Sequence, residues 1–106
     1  MNEKSIFISG ALNFASSDFL DNSHQMLKFA GEVRKLTPFL YVPINDLNLT
    51  LVAGALSHDD YYSVDLYWLE KCDALALVPN PNNENSNGVA REIEFAEKHN
   101  IPVLKG

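Results

Sequence analysis

Short apolar runs that each end against glycine or proline constrain the fold of this chain more than any other feature. Ser5–Ser9 (Ser-Ile-Phe-Ile-Ser) is closed by Gly10, Phe39–Val42 by Pro43, and Ala74–Val78 by Pro79. Runs of this length and apolarity read as buried strands. Between them lie segments with helical spacing. Ser16, Ser17 and Asp18 offer caps for a helix carrying Phe19, Ser23, Met26, Ala30 and Val33, and Pro38 stops it. Asp59 or Asp60 caps a second helix reaching about Lys71, and Asn87 to about His99 reads as a third. Ile101–Leu104, entered through Pro102, reads as a last strand. Residues 44–58 carry little signal and read as a loop with one short helix, and Asn80–Asn85 as a turn-rich loop.

Apolar strands alternating with helices predict an α/β fold: a single-domain Rossmann/flavodoxin-like sandwich, with a mostly parallel sheet of four or five strands covered on both faces. The 106 residues suffice for one domain spanning 1–106 and leave no room for a second core. The net charge of -6 argues against nucleic acid or an anionic membrane as partner, since both need clustered Lys and Arg. A small phosphorylated ligand stays open, because helix N-termini and backbone amides bind phosphate without basic side chains. Cys72 is the only cysteine, which excludes an intramolecular disulfide and fits a reducing cytoplasm. The polar start Met1-Asn2-Glu3-Lys4 shows no signal-peptide pattern, and no apolar run approaches the ~20 residues that cross a bilayer. His24, His58 and His99 lack ligand spacing, so no metal is expected. Gly10 belongs to no Gly-x-Gly-x-x-Gly fingerprint, so no nicotinamide or other cofactor is expected either.

Ligands of open α/β sheets bind outside the carboxyl ends of the strands. Gly10, Val42-Pro43, Pro79-Asn80 and the start of the helix carrying Glu92 all fall there. On that helix Val89, Ile93 and Ala96 form the expected buried stripe, Glu92 sits on its flank, and Glu94 and Lys98 point outward. In the preceding helix Asp65 falls in the middle of an apolar face made by Tyr61, Trp68, Leu69 and Cys72. A carboxylate so placed must be hydrogen-bonded, paired or used, because burying it alone costs several kcal/mol. Plainer readings stand beside these. Asp65 can be a helix acid accepting backbone or tyrosine hydrogen bonds, and Glu92 a surface acid compensating the helix dipole. Asp73, directly before a strand, is either a turn acid or a ligand contact.

Three segments carry a family likeness. Ile6-Phe7-Ile8-Ser9-Gly10, then Asp65-Leu66-Tyr67-Trp68-Leu69 with Asp73, then Ser86-x-Gly88-Val89-x-x-Glu92-x-x-x-Ala96 together resemble the nucleoside 2-deoxyribosyltransferase superfamily. That superfamily includes small phage and bacterial members and the 2'-deoxynucleoside 5'-phosphate N-hydrolases. The resemblance implies N-glycosidase or deoxyribosyltransferase chemistry on a nucleoside or nucleotide. It makes Glu92 the nucleophile and Asp65 the second catalytic acid, with Ser86 and Gly88 lining the sugar or phosphate site. By residue chemistry alone, Gly10 and Asn13 suit further ligand contacts, since glycine lets the backbone approach a ligand. The resemblance also implies a homo-oligomer with sites near subunit contacts. Phe7 stands where active relatives carry a tyrosine whose hydroxyl reaches the site, and Tyr61 and Tyr62 are the candidates to replace it. Ala11 and Asn13 stand where the hydrolases carry phosphate-binding Ser and Arg, which removes charge-assisted donors. These two departures favour the alternative of a degenerate member that binds a nucleotide without cleaving it. A scaffold without ligand is the third reading.

Overall fold

The computed structural model describes residues 4–12, 17–46, 52–54 and 57–105. Strand β1 (Ile6–Ser9) leads to helix α1 (Phe19–Arg34), strand β2 (Leu40–Tyr41) and a 3₁₀ turn (Pro43–Asp46). Helix α2 (His58–Lys71) and strand β3 (Ala74–Leu77) follow, then a second 3₁₀ turn (Pro81–Asn85), helix α3 (Asn87–Lys98) and strand β4 (Val103–Lys105). The four strands form one sheet in the order β2-β1-β3-β4, and every pairing is parallel. Phe7 is the register partner of Tyr41 on one side and of Leu75 on the other.

The expected α/β sandwich is therefore observed, with differences at the element boundaries: α2 is capped not by Asp59 or Asp60 but by Ser57, whose hydroxyl accepts the Asp60 N–H at 3.1 Å. Strand β2 is only two residues long, because Pro38 and Pro43 confine it and neither can donate to a ladder. Strand β4 starts at Val103 rather than Ile101. Asn100 takes a left-handed turn (φ 58°), and the Ile101 N–H is spent on the Ala96 carbonyl at 2.8 Å.

The pleat sends alternate strand residues to opposite faces. Ile6, Ile8, Ala76 and Val78 meet Met26 and Ala30 of α1. Phe7 and Leu75 meet Leu69 of α2, Ala96 of α3 and Ile101. Each fully buried side chain of this size contributes roughly 1.5–3 kcal/mol. Ser9 belongs by parity to the Phe7 face, so it places a hydroxyl at the carboxyl end of β1, fully buried between sheet and helices. The chain leaves β1 for β2 on one side and later returns to β3 on the other. The carboxyl ends of β1 and β3 thus form the switch point where ligands of such sheets bind. Among the described residues, no helix is long and apolar enough to cross a membrane.

Candidate active site

Helix α3 begins at a cap: the Ser86 hydroxyl accepts the Val89 N–H at 3.2 Å. From there Val89, Glu92 and Ala96 share the buried face, at i, i+3 and i+7. The sequence placed Glu92 on the flank of a Val89–Ile93–Ala96 stripe. Instead Glu92 occupies the middle of the buried face, 6% exposed, and Ile93 is half-buried. The reading of Glu92 as a surface acid is thereby overturned. The cause lies across the interface, where the Ser9 hydroxyl donates to Glu92 Oε1 at 2.6 Å and gives the carboxyl a partner inside the core.

Asp65, half-buried on α2, faces the same place. The Tyr41 hydroxyl donates to Asp65 Oδ1 at 3.3 Å, and the Asp65 carboxyl is also within hydrogen-bonding reach of Glu92. The two acids picked out by helical spacing therefore meet. Trp68 does not belong to the buried face of α2: it is 44% exposed, while Leu69 is fully buried. Burial pushes the Glu92 carboxyl up to about 8; the Ser9 hydroxyl opposes that shift, and the adjacent Asp65 adds to it. At the rim Arg91 lies 4.9 Å from the centre of the Tyr62 ring. Burial raises the Tyr62 phenol, Arg91 counteracts it, and Glu92 and Glu94 reinforce it. Tyr41 reaches Asp65 from β2, a hydroxyl source outside the expected pair Tyr61 and Tyr62. A groove of about 660 Å³ runs beside it, with Tyr41, Val64 and Trp68 in its wall.

The remaining sequence-derived residues divide. Phe7 is fully buried in the core and stacks on Tyr41, with ring centres 5.3 Å apart. Gly10 sits at the expected edge, but packing dictates it: a Cβ there would lie 2.9 Å from Val78 Cγ2. Gly88 is exposed, and a Cβ would meet only Ser86 Oγ at 3.8 Å, so this backbone is open to an approaching ligand. Ser86 adjoins it with its hydroxyl engaged in the cap. Asn13 lies outside the described residues. Asp73 lies at the opposite, amino edge of the sheet. Its Oδ2 accepts the Ser5 N–H at 2.8 Å, and this bond holds the carboxyl below its ordinary pKa. Asp73 is the turn acid of the two readings, because the residue before a parallel strand lies at the edge away from the site.

The asparagine loop has a role the sequence did not suggest. Asn83 Oδ1 accepts the Ala11 N–H at 2.8 Å while its amide donates to the Val78 carbonyl at 2.6 Å, tying together the loops that leave β1 and β3. Asn22 Oδ1 of α1 accepts from Asn80 Nδ2 at 2.8 Å and from Asn82 Nδ2 at 2.9 Å. Both loops at the switch point are thus held by side-chain amides. The Ala11 N–H, in the loop that leaves β1, is thereby already engaged.

A family model matches residues 4–105. The chain belongs to the family described as Domain of unknown function (DUF4406). No curated protein matches it. In this DUF4406 chain Ser9, Tyr41, Asp65 and Glu92 all lie inside the matched span. Sequence reasoning missed two of them. Ser9 carried a usable signal, being polar at the carboxyl end of an apolar strand. Tyr41 carried none beyond its place in a strand. Among the described residues no three His, Cys, Asp or Glu side chains gather as metal ligands.

Proposed function

We propose that this chain is an N-glycosidase or deoxyribosyltransferase-like enzyme that cleaves the N-glycosidic bond of a nucleoside or nucleotide at the Glu92–Asp65 pair. The observation that carries the reading is the buried Glu92 carboxyl, aligned by Ser9 at 2.6 Å and faced by Asp65 at the carboxyl edge of the sheet. Two carboxyls sharing a proton supply an acid and a base from one pair. The ionised carboxylate attacks the anomeric carbon, and the bond from that carbon to the base nitrogen breaks. The bonding pair stays on the nitrogen, which takes the proton held by the other carboxyl. Water then hydrolyses the glycosyl ester, or a second base displaces it in a transfer. The resemblance to the nucleoside 2-deoxyribosyltransferase superfamily assigns the attack to Glu92 and the proton to Asp65. The open backbone at Gly88 suits a sugar or phosphate oxygen. The same reading takes a small-molecule substrate, a cytoplasmic setting and a homo-oligomer; the lone Cys72 and the exposed Phe39, Tyr67 and Trp68 support the last two.

A second reading, binding without cleavage, is favoured by two observations. Phe7 brings no hydroxyl to the site, and the Ser86 hydroxyl is committed to the helix cap. Base release from a panel of nucleosides and nucleoside monophosphates, followed by chromatography, separates the readings. Release is expected from the wild type and is expected to fall by roughly a hundredfold or more in Glu92→Gln. No release, with a panel compound still raising the melting temperature, would establish the binding protein. Silence in both assays would leave the scaffold.

A further inference from the structure

We propose that Tyr41 is a positioning residue that polarises the carboxyl pair, holding Asp65 as its charged member and leaving the shared proton on Glu92. Tyr41 has little freedom. Its ring is stacked on Phe7, its register partner on β1, at 5.3 Å and 20°, and on Trp68 at 5.8 Å and 17°. Clamped between two rings, it aims its hydroxyl at α2, where it donates to Asp65 Oδ1 at 3.3 Å. A phenol has one proton to donate, and a carboxylate accepts it more strongly than a neutral acid does. Depth acts in the same direction. Glu92 is 6% exposed, whereas Asp65 is half-buried, so a single negative charge costs less on Asp65. The Ser9 O–H facing Glu92 works against this preference by the same rule, but the deep burial of Glu92 outweighs it. Glu92 also acts on the Tyr62 phenol of α2, on which Arg91 and Glu94 of α3, of opposite sign, act at the rim.

For turnover the consequence rests on the catalytic reading above. A pair polarised in this direction begins with its proton on the residue that the family resemblance makes the nucleophile. Attack by Glu92 then requires prior transfer of that proton to Asp65. Direct protonation of the leaving base by Glu92, with Asp65 stabilising the cationic sugar, requires no such transfer.

The polarisation itself is read without substrate, by ¹³C NMR titration of the Glu and Asp carboxyl carbons. Midway between the two steps of the wild-type pair, Glu92 Cδ is expected at the neutral-acid position and Asp65 Cγ at the ionised one. Tyr41→Phe keeps the ring stack and removes only the donor. It is expected to raise the lower step by about one pH unit, the equivalent of a lost charge-assisted hydrogen bond, and to move Asp65 Cγ toward the acid position. A wild-type pair with its proton on Asp65 would overturn the proposal, and that spectrum is available whether or not the variant folds. Unchanged steps in a folded Tyr41→Phe would overturn it too, even in an active enzyme. Absence of base release would instead overturn the catalytic reading and leave a polarised titration standing.

Discussion

A carboxyl buried as deeply as Glu92 makes stability depend on pH in a defined direction. Its folded value of about 8 lies above its ordinary 4.5, so the folded chain keeps a proton that the unfolded chain releases across that interval. The stabilising contribution is complete below about pH 4.5 and is lost as pH rises toward 8. Wild-type melting temperature is therefore expected to fall across this window. Glu92→Gln mimics the protonated acid, with a carbonyl for Ser9 and an amide for Asp65, and its stability should stay nearly flat. Above pH 8 the variant should be the more stable protein by at least about 1.4 kcal/mol, the equivalent of a tenfold change in proton affinity. Parallel melting curves for the two proteins across the window would refute the buried, proton-holding Glu92. Glu92 and Asp65 were legible in the sequence because an acid at helical spacing among apolar residues can be counted without a structure. Ser9 and Tyr41 were not, since a strand hydroxyl gains meaning only when the pleat and the neighbouring strand are known. Asp73 read equally well as a turn acid or a ligand contact, because residue type alone does not say which edge of the sheet it occupies.

Two glycines at the carboxyl edge show how elements, rather than single side chains, shape the site. Gly10 lets β1 leave the sheet against β3, and an added Cβ would meet the stiff Val78 side chain at 2.9 and 3.1 Å and Met26 Cε at 3.2 Å. Gly10→Ala is expected to cost about 1–3 kcal/mol in urea denaturation. Val78→Ala should recover part of that in the double variant, and strictly additive losses would show that the two positions do not clash. Gly88 lies in the first turn of α3 in open space. Gly88→Ala should stabilise the chain by up to about 1 kcal/mol through helix propensity and the unfolded-state entropy it removes. If a ligand uses this backbone, the same variant should weaken its binding; a stabilised variant with undiminished binding places the ligand elsewhere. The helices and strands themselves were readable from periodicity and from Gly10, Pro38, Pro43 and Pro79. The asparagine clamp was not. Asn80, Asn82 and Asn83 look like turn residues in sequence, and only the packing of α1 against the β3 loop reveals Asn22 as the common acceptor of Asn80 and Asn82.

At the scale of the whole molecule, the doubly wound sheet has two edges, β2 and β4, and the two-residue strand β2 is the one with aromatic side chains beside it. Beside that edge Phe39 is 53%, Tyr67 54% and Trp68 44% exposed, and the groove of about 660 Å³ runs between β2 and α2. Aromatic side chains gathered along an open edge are the composition of an interface core rather than of a solvated surface. A second copy covering this edge would bury Trp68, the outer member of the stack that clamps Tyr41 against Phe7. Association and the geometry of the carboxyl pair would then be thermodynamically linked, because whatever binds only the ordered stack stabilises it. The homo-oligomer proposed above accordingly makes a concentration-dependent prediction. Light scattering should give the wild type a mass above that of one chain, and its melting temperature should rise with protein concentration. Trp68→Glu places a charge in the interface and should yield a single chain whose melting temperature ignores concentration. If base release is present, it should fall in this variant at low protein concentration although Trp68 does not touch the pair. A wild type that scatters as one chain at every concentration would sink the oligomer and assign the exposed aromatics to the groove alone.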